Sequence, residues 1–185
     1  MILRFSLNLI LIIAFYPSNA QLNQKEEIKV WSENEQIMWK DFIFKQDSPN
    51  GHKAISLVNI KVKGFWDESL PNFIVTATFN RNESWTVDTT SVNLLTHETL
   101  HFDIAELYAR KIRKGVLGLR EQKEKKIDKY NDLISKLLDC FEEQEVLFDK
   151  ETSHGVYKEL QIKWLSRVSK QLKSLDDYGF DEDIF

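Results

Sequence analysis

Hydrophobic and polar residues follow different periods in the two halves of the chain. Over 54–65, hydrophobic residues largely alternate with polar ones, and 73–79 is rich in β-branched and aromatic residues, so both stretches are predicted as strands. A turn over 67–72 joins them and predicts an antiparallel pair. From residue 92 onward the spacing is that of helices, predicted over 92–115, 119–150 and 156–175. The pattern therefore predicts an α+β fold: a small antiparallel sheet packed on a buried helix, which two long helices follow.

The first 20 residues have the pattern of an export signal. Arg4 precedes an apolar run over 5–16, Pro17 ends it, and Ser18 and Ala20 put small residues at the cleavage positions. The run is short for a membrane span, although a retained anchor is the alternative. We predict a signal peptide over 1–20 and a single mature domain over 21–185 with an acidic tail at 176–185. Because no later run has spanning length, we expect an exported protein, periplasmic or secreted, without stable membrane insertion.

Composition narrows the classes of partner and of metal site. The net charge is −4, which argues against a nucleic-acid partner held by a basic surface. Cys140 is the single cysteine, which excludes an internal disulfide framework and a cysteine-rich zinc site. It falls in an apolar stripe at helical spacing, so we interpret it as a small core residue.

The candidate chemistry lies in one short segment, H-E-x-x-H over 97–101. His97 and His101 are four residues apart on a predicted helix, so their side chains lie on one face and can bind one Zn²⁺. Glu98 lies about 100° further around the helix, where a general base can reach an activated water. With four histidines in the chain, chance produces the motif on the order of 0.01 times. The alternative is a metal-free pair of buried histidines with separate hydrogen-bond partners.

A third metal ligand must come from elsewhere in the chain. Six residues beyond His101 is Leu107 rather than a histidine, and Glu106 points away from the two-histidine face. We predict His154, in the break between the last two helices, although a capping or surface role is its alternative. The alternative ligands are carboxylates in that break or on the helix before it: Asp149, Glu151, Glu142, Glu143 and Glu145.

Two further polar residues are assigned ordinary roles. His52 lies in a polar turn after Asn50 and Gly51, and we expect it to be solvent-exposed. Asp103 follows His101 on another face of the helix, and we expect a surface salt bridge, with an orienting contact to a metal-ligating histidine as its alternative.

Longer stretches around the motif resemble a known family. The extension H-F-D-I-x-E-x-x-A-R begins at His101, and T-x-H-G ends at Gly155. Together with W-K-D-F at 39–42, S-W at 84–85 and Q-I-K-W at 161–164, they resemble the bacterial DUF922 family of predicted secreted zinc proteases, over about residues 31–168. The resemblance implies a zincin-like fold, His97 and His101 as zinc ligands and Glu98 as catalytic base. It also favours His154 as the third ligand.

These observations lead to one functional hypothesis and one alternative. The hypothesis is an exported zinc-dependent hydrolase, a peptidase acting on a peptide or protein substrate, which strand 73–79 could align at the edge of the sheet. The alternative is a catalytically silent zincin-like metal-binding or interaction module of the cell envelope. Glu98 distinguishes them, because a purely structural metal site does not need a general base.

Overall fold

The computed structural model describes residues 27–48 and 51–180. The predicted signal peptide and the last five residues of the acidic tail lie outside this range. The elements are β1 (Ile28–Val30), β2 (Ile43–Phe44), β3 (Ala54–Ile55), β4 (Val58–Asp67), β5 (Leu70–Asn80), β6 (Trp85–Thr86), α1 (Val92–Glu121), α2 (Ile127–Thr152) and α3 (Lys158–Lys173). Short 3-10 helices cover Trp39–Asp41 and Asp176–Tyr178. The predicted α+β class, with a small antiparallel sheet and three helices, is confirmed.

The strands form two three-stranded sheets. The larger sheet has the order β1-β5-β4 and is antiparallel throughout, with β4 and β5 joined as a hairpin that pairs Val58 with Phe79. The smaller sheet has the order β2-β6-β3, with β2 parallel and β3 antiparallel to β6. The prediction that 73–79 is an edge strand is wrong for its last two residues, because β5 pairs with β1 over 78–80; over 73–77 the described strands pair with β5 on the β4 side alone. Among the described strands, β2 and β3 are the outer strands of the smaller sheet.

Helix α1 lies in the middle of the molecule because its hydrophobic residues extend around most of its circumference. One side packs against the larger sheet, where Ala105 and Ala109 are fully buried near Val75 and Ala77. The opposite side carries Leu100, Ile104 and Leu107 into a second cluster. That cluster is completed by residues of α2, α3 and the chain that follows: Phe148, Trp164, Val168, Leu172 and Leu175. Cys140 is half-buried beside it, close to its predicted role.

The helix boundaries depart most from the predicted ones between α1 and α2, and by two residues at the end of α2 and at both ends of α3. Helix α1 continues past Gly115 to Glu121, and α2 begins at Ile127, so the charged run over 120–129 contains the loop between them. Gly115 does not interrupt the helix. A Cβ there would lie 2.6 Å from Leu133 Cδ2, so the glycine allows α2 to approach closely. At the other end, Ser91 caps α1 by accepting a hydrogen bond from the Leu94 amide. Within the described residues, every helix is too short or too polar to cross a membrane.

Candidate metal centre

Helix α1 places the two motif histidines side by side beneath the surface. His97 is 2% exposed and His101 9%, and their Nε2 atoms are 3.2 Å apart. Both rings pack against Phe148 of α2, at centroid distances of 4.5 Å for His97 and 4.9 Å for His101. The predicted shared face of the two histidines is thus confirmed, and an aromatic ring restricts the orientation of each imidazole.

Asp149 of α2 supplies a third donor atom to this pair. Its Oδ1 lies 3.0 Å from His97 Nε2 and 3.2 Å from His101 Nε2. The three atoms therefore form a triangle with sides of 3.0, 3.2 and 3.2 Å. Tetrahedral zinc with bonds of about 2.0–2.1 Å separates its ligands by about 3.3 Å, so the triangle has nearly the size of one face of such a site. His97, His101 and Asp149 are together a donor set that could hold a metal ion.

Glu145, one helical turn before Asp149, supports the site from behind His101. Its Oε2 lies 2.8 Å from His101 Nδ1, so the ring can donate there while Nε2 faces His97 and Asp149. Metal-ligating histidines commonly donate their other ring N–H to a carboxylate in this way. His97 departs from that pattern, since its buried Nδ1 has no hydrogen-bond partner among the described residues.

The electrostatics of the cluster favour positive charge. Burial alone would lower the pKa of His101, but the negative charge of Glu145 and hydrogen bonds to Asp149 and Glu145 outweigh it and raise the pKa to about 10. Burial would raise the pKa of Asp149, yet hydrogen bonds from His101 and His97 bring it well below its usual range. The carboxylates thus stabilise a cation between them. A proton can fill that role, and a divalent metal would have to displace it.

Glu98 lines the same cavity as the donor triangle. The cavity has a volume of about 590 Å³ and is bordered by α1, α2, the segment 51–56 and the loop after α2. The Glu98 side chain is 3% exposed, and its Oε2 accepts a hydrogen bond from the Ser56 hydroxyl. No Lys or Arg forms an ion pair with Glu98 within the described part of the chain. A nearly buried carboxylate without such a cation is a candidate for a functional group rather than a structural one.

His154 lies beside the donor triangle, not within it. Its Nδ1 is 3.3 Å from Asp149 Oδ1, and its side chain is 58% exposed. It therefore contacts the site through Asp149, the carboxylate that takes the third position in this geometry.

His52 borders the same cavity and is half-buried, so the expectation that it is simply solvent-exposed is wrong. Its ring meets that of His154 edge to face, at a centroid distance of 5.3 Å. All four histidines of the chain consequently border one cavity.

A family model described as "Bacterial protein of unknown function (DUF922)" matches residues 44–155, which is more than half of the chain. The chain belongs to the DUF922 family. No curated protein and no solved structure gives a significant match. The DUF922 region begins in β2 and ends at Gly155, so it contains the donor triangle, Glu98, Ser56, His52 and His154. The family description assigns no activity to them.

The sequence analysis did not identify Ser56 as part of this DUF922 site, and it named Glu145 only as one of several alternative ligands. Ser56 has no local signal, because its role depends on the approach of the segment after β3 to α1. Glu145 was among the open carboxylates, and its spacing of four residues from Asp149 repeats that of the histidines. That spacing was the available signal.

The expected surface salt bridge of Asp103 is not found among the described residues. Asp103 instead accepts a hydrogen bond of 2.8 Å from Trp31 Nε1. Burial, with a contribution from the nearby charge of Glu106, raises the pKa of Asp103 to about 6 despite this hydrogen bond. Glu106 itself pairs with Arg110 and Arg113, which agrees with its exclusion as a metal ligand.

Proposed function

We propose that this DUF922 protein is an exported zinc-dependent hydrolase that cleaves peptide bonds. His97, His101 and Asp149 are its zinc ligands, and Glu98 is its general base. The observation that carries the proposal is the triangle of donor atoms with sides of 3.0–3.2 Å beside a nearly buried Glu98 that forms no ion pair with a described Lys or Arg. Two neutral imidazoles and one carboxylate are a donor set typical of catalytic zinc, which keeps a further position open.

The residues around the cavity supply the remaining chemistry. A bound Zn²⁺ supplies Lewis acidity, which polarises a carbonyl group and lowers the pKa of water to about 7. Glu98 accepts the proton of the attacking water and delivers it to the leaving amine. The Ser56 hydroxyl donates to Glu98 Oε2, and this contact restricts the orientation of the carboxylate.

The border of the cavity supports a peptide as substrate. Ala54 and Ile55 of β3 line the cavity, and β3 pairs only with β6 among the described strands. Its other edge can therefore hydrogen-bond an extended peptide by strand addition. This edge replaces the earlier candidate, strand 73–79. Export rests on the pattern over residues 1–20, whose removal would release the domain outside the cytoplasm.

A Glu98→Gln variant tests the catalytic part of the proposal. The zinc-loaded wild type should cleave members of a mixed peptide library, detected by mass spectrometry. Glu98→Gln should keep its zinc and lose at least about 100-fold in rate, because an amide cannot accept the proton. Glu83→Gln, on the loop before β6, is the control that should cleave like the wild type. Cleavage by Glu98→Gln at the wild-type rate would contradict the assignment. A zinc-loaded wild type without cleavage would favour a silent metal-binding module.

A further inference from the structure

The loop between α2 and α3 fixes the backbone of His154 beside the metal centre. Ser153, His154 and Gly155 all have positive φ, of 49°, 52° and 82°. The His154 amide donates to the Asp149 carbonyl, and the Gly155 carbonyl accepts a 2.6 Å hydrogen bond from Asn93 Nδ2 of α1. Left-handed conformations cost free energy in residues other than glycine and persist only where the surroundings impose them. The loop is therefore tied to both helices that supply the zinc ligands.

The side chain of His154 is held by two contacts that occupy different parts of the ring. Nδ1 faces Asp149 Oδ1 at 3.3 Å. In this ion pair the ring is an imidazolium with a hydrogen on both nitrogens, so Nε2 can donate to another partner while Nδ1 faces the carboxylate. The His52 ring packs edge to face against the imidazole and limits its rotation.

The side chain of His154 is much more exposed than those of the two zinc-ligand histidines. Its side chain is 58% exposed, whereas those of His97 and His101 are 2% and 11% exposed. It nevertheless borders the cavity that contains Glu98. The side chain is thus open to a molecule in the cavity, and its ion-pair contact within the described residues is to Asp149, which already completes the donor triangle.

We propose that His154 is a substrate-binding group of the active site, which donates a hydrogen bond from Nε2 to the oxygen of the scissile carbonyl. This inference rests on the proposed hydrolase function. When the water oxygen bonds to the carbonyl carbon, the π electrons of the C=O bond move to that oxygen, and Glu98 takes the water proton. The C–N bond then breaks, the C=O bond reforms, and the proton moves from Glu98 to the leaving nitrogen. His154 acts on the oxygen that carries the negative charge between these two events.

Two small probes can separate binding of the oxyanion from binding of the metal. Methylphosphonate has tetrahedral anionic oxygens like those of the reacting centre, whereas acetohydroxamate is a planar metal chelator. The zinc-loaded wild type, His154→Ala and His154→Gln would be titrated with each probe by calorimetry. Zinc content would be measured on the same samples, and cobalt-substituted samples would report the ligand set through their visible absorption. His52→Ala, which removes only the packing partner, is the matched control.

We expect His154→Ala to keep one zinc per chain and an unchanged cobalt spectrum. Its affinity for methylphosphonate should fall about tenfold or more, the effect of losing a hydrogen bond to a charged group. Its affinity for acetohydroxamate should not change. His154→Gln should recover part of the phosphonate affinity, because its amide can donate, and His52→Ala should lose less than His154→Ala.

Three results would overturn the inference. Loss of zinc or a changed cobalt spectrum in His154→Ala would make His154 a metal ligand. Equal phosphonate affinity of the wild type and His154→Ala would show that His154 does not contact the oxyanion. A zinc-loaded wild type that does not bind the phosphonate would contradict the contact in the same way. A wild type that does not bind zinc is a different result, because it would reject the proposed function itself.

Discussion

Single residues around the cavity concentrate negative charge next to two imidazoles. Glu98, Glu145 and Asp149 all border it, and the described ion pairs of Glu145 and Asp149 are with histidines. His101 responds with a pKa raised to about 10, chiefly because the charge of Glu145 and the contacts to both carboxylates outweigh its burial. Such an environment costs stability unless a cation is present. A divalent metal between Asp149 and the histidines would compensate this charge better than a single proton.

Asp103 gives the residue-scale prediction of pH dependence. Its pKa is raised from 3.8 to about 6 in the folded protein, so between these values the folded state holds a proton that the unfolded state lacks. The contribution of Asp103 to the free energy of unfolding should therefore fall by up to about 3 kcal/mol as the pH rises from about 4 to 6, and stay level above that. Asp103→Asn removes this titration and keeps an acceptor for Trp31 Nε1. It should be more stable than the wild type at pH 7 by about 1–3 kcal/mol.

Urea denaturation of metal-free protein between pH 4 and 8 measures this difference. Asp132→Asn, at an exposed position of α2, is the control and should follow the wild-type curve. Parallel pH curves for Asp103→Asn and the wild type would contradict the burial of an ionisable Asp103.

At the scale of secondary structure, the site consists of two pairs of residues with the same helical spacing on two packed helices. His97 and His101 are four residues apart on α1, and Glu145 and Asp149 are four apart on α2. The α2–α3 loop lies over the first pair. Gly155 is essential to this contact, because a Cβ there would lie 3.2 Å from His97 Cβ and Cγ and 3.3 Å from Gln161 Oε1.

Gly155→Ala should therefore disturb both the loop and the proposed metal centre. Its φ of +82° disfavours an L-residue by about 1–2 kcal/mol, and the new methyl group presses on His97. We expect a loss of about 1–3 kcal/mol in the free energy of unfolding and weaker zinc binding. Gly118→Ala in α1 is the matched control, and its effect on the free energy of unfolding should have the opposite sign. Nothing lies within 4 Å of its added Cβ, so alanine should stabilise the helix by up to about 1 kcal/mol. Equal stability of the two variants would contradict the role of Gly155.

Periodicity predicts part of this arrangement and cannot predict the rest. The spacing of His97 and His101 fixes their common face before any tertiary contact, and the hydrophobic residues of α1 predict its burial. The choice of Asp149 from the carboxylates near the break depends on how α2 packs on α1. His52 and Ser56 reach the site from a segment about 40 residues away, and no local pattern encodes that approach. The partial error in the edge position predicted for 73–79 has the same cause, since β1 pairs with residues 78–80 of β5 from a distant part of the chain.

At the scale of the whole molecule, α1 is the element on which the site depends. It contacts the larger sheet on one side and the cluster of α2 and α3 on the other, so its position is determined by both cores. The DUF922 match covers the site, while β1 and α3, which lie outside the matched residues, complete the packing around it. The cavity is thus bordered by a helix whose position is fixed by packing on two sides. Preformed ligands of this kind predict metal binding without refolding.

Zinc binding by the purified protein, residues 21–185, is the measurement that tests the central claim most directly. After removal of metal with a chelator and reloading, elemental mass spectrometry should find one zinc per wild-type chain. Asp149→Ala and His97→Ala should each weaken zinc binding by more than about 100-fold, because they remove a ligand rather than its support. Asp132→Asn on the same helix should bind zinc like the wild type. A wild type without zinc, or an Asp149→Ala variant that binds it with wild-type affinity, would contradict the proposed centre.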